Sequence, residues 1–312
     1  MHTIDRLSYS LCSRKCKKQT VDLNLRTTKL SVDVKNEFSI DTEFGDFSGV
    51  EVTMRGEPIL NLNASKNFLV KGYEQDSFWY YDLFSAQDWL RHHLDIYHSK
   101  SINQISFEHR ALGFHREQLI GMLERLEIGE LDIFMSESQE HTQAILDLHL
   151  RVKQFNIFLD SFNRPELLRK ILIENLGHVI INRFIEAEVP RLLDDILLAN
   201  TSQLQLTFLH FSGKELNRLV KSWIRGACKR LEVLYIELKE PANEDIVLRG
   251  ITHTEITRQD LLAKMDIYNY NHRENGLIGD KWFNIRGKDG REATISVYAD
   301  GLRVSFHLFV WQ

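Results

Sequence analysis

The sequence predicts an α/β fold of repeated strand–helix units, with antiparallel β segments at both ends. Three observations carry that prediction. An apolar residue, two others, an apolar residue, one other and an apolar residue recur as Ile102/Ile105/Phe107, Ile128/Leu131/Ile133, Val152/Phe155/Ile157, Leu176/Val179/Ile181 and Leu231/Leu234/Ile236, and Thr201/Leu204/Leu206 fits with its first position polar. A helical apolar face follows each triplet but the last, as in Leu168/Ile171/Leu172 and Leu216/Leu219/Val220. Period-two strands flank the tract, Leu30/Val32/Val34 before it and Val304/Phe306/Leu308/Val310 after it. The triplets step by 26, 24, 24, 25 and 30 residues. That period and the L-x-x-L-x-L signature are those of a leucine-rich-repeat-like solenoid, although the asparagine usual after the last leucine is missing; an ordinary α/β domain with parallel strands is the alternative. The expectation is six parallel strands between residues 102 and 237, stacked in chain order, with helices on the other side.

Along the chain, residues 1–20 hold a short apolar face, Ile4, Leu7 and Leu11, and a basic run, Arg14, Lys15, Lys17 and Lys18. They read either as a solvated N-terminus or as part of a helical motif. Residues 21–100 form a β-rich cap with one helix. Its strands alternate around Phe38/Ile40, Val50/Val52/Met54 and Phe68–Val70, with a turn at Arg55–Pro58 and an aromatic run Phe78–Tyr81. That run reads as core packing or as a binding surface, core being the commoner use of aromatics. Ser85 with Asp88 starts a helix whose face Ala86/Trp89/Leu90/His93/Leu94/Tyr97 is expected to pack on the first repeat. Residues 101–240 are the repeats. The last helix begins at Ser212, with Glu215 closing a capping box, and Gly226 stops it. Residues 241–312 start poorly periodic, with a short helix at Leu261–Tyr268. They end in strands Trp282–Arg286, Glu292–Tyr298 and Leu302–Trp311, punctuated by Asp289-Gly290 and Asp300-Gly301, a meander that would cover the open end of the repeats. In its last strand Arg303, Ser305 and His307 lie opposite the apolar set.

The net charge of −5 gives no attraction to nucleic acid or to an anionic membrane surface, and the apolar runs fall short of a membrane span. Cys12, Cys16 and Cys228 make no disulfide framework, which fits a reducing compartment, cytoplasm or nucleus. Phosphate-loop, zinc-protease and hydrolase motifs are absent; Gly276–Gly279 lacks the lysine and hydroxyl of a phosphate loop. The thirteen histidines are scattered, and Glu186, Glu188, Asp194 and Asp195 read as solvated charges or helix-dipole partners. No catalytic residue, cofactor or metal site is expected, so the chain reads as a non-enzymatic binding protein.

Side chains alternate along a strand, so the middle residue of each L-x-L faces away from the helices. This places Ser106, Asp132, Asn156, Ile180, Gln205 and Tyr235 in one row, and Glu108, Phe134, Phe158, Asn182, Thr207 and Glu237 in a second. The partner-binding candidates are Asp132, Phe134, Asn156, Phe158, Gln205 and Tyr235: two aromatics with a polar rim, unless the N-terminal sheet or a loop folds over the two rings.

The run Ser212–Asn217 (SGKELN), then Leu219–Gly226 (LVKSWIRG), then Arg230–Ile236 (RLEVLYI) resembles the type 2 F-box-associated domain of nematode F-box proteins. Ile285–Ile295 (IRGKDGREATI) resembles that family's tail, and Leu7–Lys15 (LSYSLCSRK) resembles the closing helix of an F-box truncated at its N-terminus. The resemblance implies a substrate-recognition subunit of a cullin–RING (SCF-type) ubiquitin ligase, docking a Skp-type adaptor through Leu7 and Leu11. The half of the F-box that would precede this helix is not in the sequence, and its loss leaves less apolar surface for such an interface. A stand-alone interaction scaffold that recruits no ligase is the alternative.

Overall fold

The computed structural model describes residues 3–34, 38–44, 48–54, 62, 67–73, 78–107, 116–135, 145–148, 150–159, 165–183, 192–267, 281–299 and 304–311. The turn at Arg55–Pro58, Glu108, Glu186, Glu188, Gly276–Gly279, Asp300-Gly301 and Arg303 lie outside the described residues. The chain divides into two compact units, Met1–Asn156 and Ile157–Gln312, a division that falls inside the tract 101–240. Both units are mixed α/β, built on parallel and antiparallel strands.

In the first unit, β1 (Lys29–Val34), β2 (Phe38–Glu43), β3 (Gly49–Met54), β4 (Phe68–Gly72) and β5 (Phe78–Tyr81) form the expected antiparallel meander. Strand β1 also pairs in parallel with β6 (Ser101–Phe107), and β6 with β7 (Glu127–Met135). Helices α1 (Thr3–Cys12) and α2 (Arg14–Asp22) precede the sheet, α3 (Ala86–Ile96) precedes β6, and α4 (Arg116–Leu123) joins β6 to β7. Alternation decides the core: Leu30, Val32, Val34, Phe38, Ile40, Val50 and Val52 are fully buried on one face. The triplet spacing needs one irregularity, since Ile102 and Ile105 are three residues apart and both buried. Asn103 supplies it: its side-chain oxygen accepts the Leu30 N–H at 2.9 Å, and its carbonyl lies where a Cβ on Gly129 would stand.

Helix α3 begins with the predicted capping box, Ser85 and Asp88 bonding reciprocally. Its Leu90 and Leu94 line one cleft with Gly121 and Met122 of α4, beside the first repeat as expected, and the rest of its buried face packs on the meander. Trp89 sits among Phe68, Trp79, Tyr81 and Phe84, and His93 bonds to Thr42, so the helix lies on the meander. The aromatic run divides by parity: Trp79 and Tyr81 join this cluster, whereas Phe78 and Tyr80 are 62% and 51% exposed. Helix α1 packs on β3 and β4 through Ile4, beside Gly72, where a Cβ would stand 3.2 Å from that of Ile4.

Strand β8 (Val152–Leu159) runs across the division, its first residues beside β7. In the second unit, β9 (His178–Arg183), β10 (Gln203–Leu209) and β11 (Val233–Leu238) pair in parallel and in chain order, as the repeats predict. Helices α5 (Pro165–Ile173), α6 (Leu192–Leu197) and α7 (Gly213–Ile224) alternate with them and pack side by side. Leu176, Thr201 and Leu231 each precede their strand by two residues. Before them, the side-chain oxygen of Asn175 accepts from Asn200 (2.6 Å) and Arg230 (2.8 Å), tying three successive repeats. Asp195, read from sequence as a solvated charge or a helix-dipole partner, lies in the first turn of α6, where it is fully buried and accepts from Arg169 at 2.9 Å. A buried carboxylate needs a partner, and α5 provides it.

Helix α7 has its capping box, Ser212 with Glu215, and ends in a Schellman motif. Gly226 (φ +102°) donates to Trp223, and Ala227 to Ser222. Strand β15 (Val304–Trp311) pairs antiparallel with β11, followed by β14 (Glu292–Ala299), β13 (Trp282–Arg286) and β12 (Thr254–Ile256). Besides α8 (Glu244–Leu248), a helix α9 (Arg258–Ile267) forms behind a Thr257–Asp260 cap. Its Leu261 and Met265 form a core with Val233, Trp282, Phe309 and Trp311. The polar side of β15 is therefore not solvated: Ser305 and His307 are each 1% exposed.

Candidate protein-interaction face

In the first unit the predicted row is in register. Asp33 on β1 pairs with Ser106, and Ser106 with Asp132. Gln104 donates to one Asp132 oxygen, Asn156 to the other at 2.7 Å, and Gln154 to Asn156 at 2.9 Å. Strands stand about 4.8 Å apart, so short polar side chains in one row reach each other. This ladder leaves Asp132 and Asn156 5% and 8% exposed. They were expected as a solvated rim; they form an interlocked polar strip instead. Phe134, next on the same face of β7, is half-buried.

In the second unit Gln205 lies between Ile180 and Tyr235, and Tyr235 faces His307, which faces Ser296. Gln205, Tyr235 and Phe158 are half-buried. The Tyr235 ring meets His307 edge-on at 4.9 Å, and His307 lies 6.0 Å from Trp282. The row thus passes from polar side chains into an aromatic group. Phe134 and Phe158 fall on opposite sides of the division between units, and each is placed within its own unit.

Leu7 is fully buried in the first unit and Leu11 half-buried. Ser10, on the Leu7 side of α1, bonds His92 of α3 at 2.7 Å, while Lys17 of α2 reaches Asp95 at 2.6 Å. Leu7, one of the two side chains proposed for adaptor docking, is therefore held in the protein's own core, on a helix that Ser10 ties to α3 and whose Ile4 packs beside Gly72.

Three buried histidines each pair with a hydroxyl: His92 with Ser10, His93 with Thr42 at 2.8 Å, and His307 with Ser305 at 2.9 Å. Burial pushes His92 and His307 down to about 4 and His93 to about 3. They are neutral hydrogen-bonding groups at pH 7. Sequence reading found neither of the first two pairs, since the partners of His92 and His93 are 82 and 51 residues away. Among the described residues no group of His, Cys, Asp and Glu is arranged to hold a metal ion, and no helix is long and apolar enough to cross a membrane.

Residues 167–236, from α5 to β11, match the family described as F-box associated. A 131-residue stretch is 26% identical to the F-box associated domain-containing protein sdz-33 of Caenorhabditis elegans, covering 41% of this chain and 41% of that protein. The chain thus spans about two fifths of the curated relative it matches. No solved structure gives a significant match.

Proposed function

We propose that this chain, which carries an F-box-associated segment, is a non-catalytic protein-binding module serving as the substrate-recognition subunit of an SCF-type, cullin–RING ubiquitin ligase. The single observation behind the proposal is the family match over residues 167–236, which coincides with the strand–helix repeats α5 to β11. Parallel strands at a spacing of 24 to 30 residues support reading residues 101–240 as leucine-rich-repeat-like. Flanking β segments before and after would cap it. On this reading the face opposite the helices contacts the substrate in each unit taken by itself, with Phe134 beside Asp132 and Asn156 in the first and Phe158, Gln205 and Tyr235 in the second.

The second reading, a scaffold that recruits no ligase, is favoured by Leu7, which is fully buried in the first unit. Docking an adaptor through it requires α1 to leave that core. Co-purification of the full chain with a purified Skp-type adaptor separates the two. A stable 1:1 complex, weakened by Leu11→Asp and not by changes at Phe134, is the expected result for the ligase subunit. Absence of a complex at micromolar concentrations removes the ligase reading and leaves the scaffold.

A further inference from the structure

The meander of the first unit has one face that its own core does not use, and that face is acidic. Leu30, Val32, Val34, Phe38, Ile40, Val50 and Val52 point to the core and are fully buried. Alternation puts Ser31, Asp33, Asp41, Glu43 and Glu51 on the opposite face. The register makes the arrangement specific. Asp41 stands directly across from Ser31 on one side and from Glu51 on the other. Beyond β1, the same face continues through Ser106 and Asp132. Asp33, Asp41, Glu43, Glu51, Glu130 and Asp132 thus share it with two cations, Lys29 and Lys71, the latter opposite Glu51. Among the described residues none of Asp33, Asp41, Glu43 and Glu51 is in an ion pair.

Like charges directly opposed across a strand pair are unfavourable, so this arrangement is not a device for stability. Burial, with the neighbouring Glu51, Asp33 and Glu43, pushes the Asp41 carboxyl up to about 6 even though the Tyr73 hydroxyl donates to it at 2.7 Å. A second, independent feature points to a missing ligand. The Ser31 hydroxyl, on the same face and in register with Asp41, is buried, the residue being 7% exposed, and has no hydrogen-bond partner. Buried polar groups are ordinarily satisfied. At the rim, Phe78 stands opposite Lys71 and Tyr80 opposite Leu69, so both rings lie on this face, and both are exposed.

We infer that this face docks a lysine- and arginine-rich segment of a partner protein, an ammonium or guanidinium seating over Asp41, Asp33 and Ser31 while an arginine stacks on Phe78 or Tyr80. The chemistry fits at each point. A cation neutralises the opposed carboxylates, donates to their oxygens and to the Ser31 oxygen, and guanidinium planes stack on exposed aromatic rings. Phosphate-bearing partners, nucleic acid or an anionic membrane, are repelled by the same carboxylates. The inference rests on the protein-binding reading above and names the partner's chemistry.

The test uses the full chain and a fluorescein-labelled peptide of alternating arginine, lysine and serine, with a glutamine-for-cation peptide as control, followed by anisotropy. Micromolar binding of the basic peptide alone is expected. It should weaken about tenfold or more in the double variant Asp41→Asn/Glu51→Gln, which keeps shape and hydrogen-bonding atoms, and again in half-molar salt. Phe78→Ala/Tyr80→Ala should weaken it severalfold. Absence of binding to the natural chain, or equal binding by a folded Asp41→Asn/Glu51→Gln variant, overturns the inference. If that double variant does not fold, Asp33→Asn takes its place, and unchanged affinity there overturns the inference equally. The adaptor complex is read separately: adaptor binding without basic-peptide binding sinks this inference alone, and the converse sinks only the ligase reading.

Discussion

Replacing Trp223 probes how the family-matched segment is held together. The side chain lies on the Leu216/Leu219/Val220 face of α7 and is 1% exposed. Arg291, from the turn after β13, covers the ring at 5.2 Å from its centroid. The guanidinium is itself held by Asp289 at 2.8 Å and by the Lys229 carbonyl at 2.9 Å. Burying an indole removes roughly 200 Å² from water, worth about 5 kcal/mol at the usual area coefficient. The cation over the ring adds about 0.5–1 kcal/mol. Trp223→Ala leaves a cavity and an uncovered arginine, so a loss of about 4–5 kcal/mol is expected. Trp223→Phe is the sharper test. The indole N–H is buried without an acceptor. Removing it relieves a penalty of about 1–3 kcal/mol, which offsets most of the lost ring volume. Urea denaturation followed by far-ultraviolet circular dichroism should place Trp223→Phe within about 1 kcal/mol of the natural chain. A Trp223→Ala midpoint equal to that of the natural chain would show the ring is not buried. A Trp223→Phe loss as large as that of Trp223→Ala would show that the N–H is bonded, or that ring volume outweighs it.

Two further outcomes follow from the same structure. His92, His93 and His307 have pKa values depressed by burial to about 4, 3 and 4, so the unfolded chain binds more protons below its ordinary histidine value of about 6.5. Their stabilisation is full above about pH 6.5 and is lost as pH falls toward 4, on the order of 2 kcal/mol each by about pH 4.5. Lys17 adds to the depression at His92 and Asp95 opposes it, while Asp41, raised to about 6, gives a smaller effect of opposite sign over the same range. Melting temperatures that agree at pH 7.5 and pH 4.5 would contradict this. Gly226→Ala should cost about 1–2 kcal/mol through left-handed backbone strain alone, because nothing lies within 4 Å of the added Cβ. Gly226→Asn should recover part of that loss in the same denaturation assay, and an unchanged midpoint for the alanine variant would show that the C-terminus of α7 relaxes.

Local chemistry in the sequence determined a good part of this protein. Capping boxes at Ser85/Asp88 and Ser212/Glu215 and the glycine stop at Gly226 act within a few residues of chain, so they need no tertiary context. The same holds for strand parity, which correctly divided core from opposite face in β1, β2 and β3 and put the repeats' strands in parallel order within each unit. Trp223 falls, by helical period, on the Leu216/Leu219/Val220 face that the sequence marks as apolar, and it is buried there. Tertiary structure decided everything that required knowing what covers a face. Asp132 and Asn156 were placed on the right side but became an interlocked ladder, because Gln104 and Asn156 reach Asp132 across strands and Gln154 holds Asn156 along β8. Ser305 and His307 became buried because Tyr235 and Trp282 pack on the His307 ring, on the same strand face whose Phe309 and Trp311 are covered by α9, from a poorly periodic stretch. Leu7 was legible as apolar, but its use inside the first unit depends on how α1 is seated, through Ile4 beside Gly72 and a serine–histidine bond spanning 82 residues. The acidic face itself was invisible as a face: Asp33, Asp41 and Glu51 look like ordinary surface charges in sequence. Only strand register, which brings residues about ten apart to within one strand spacing, turns them into a concentrated field.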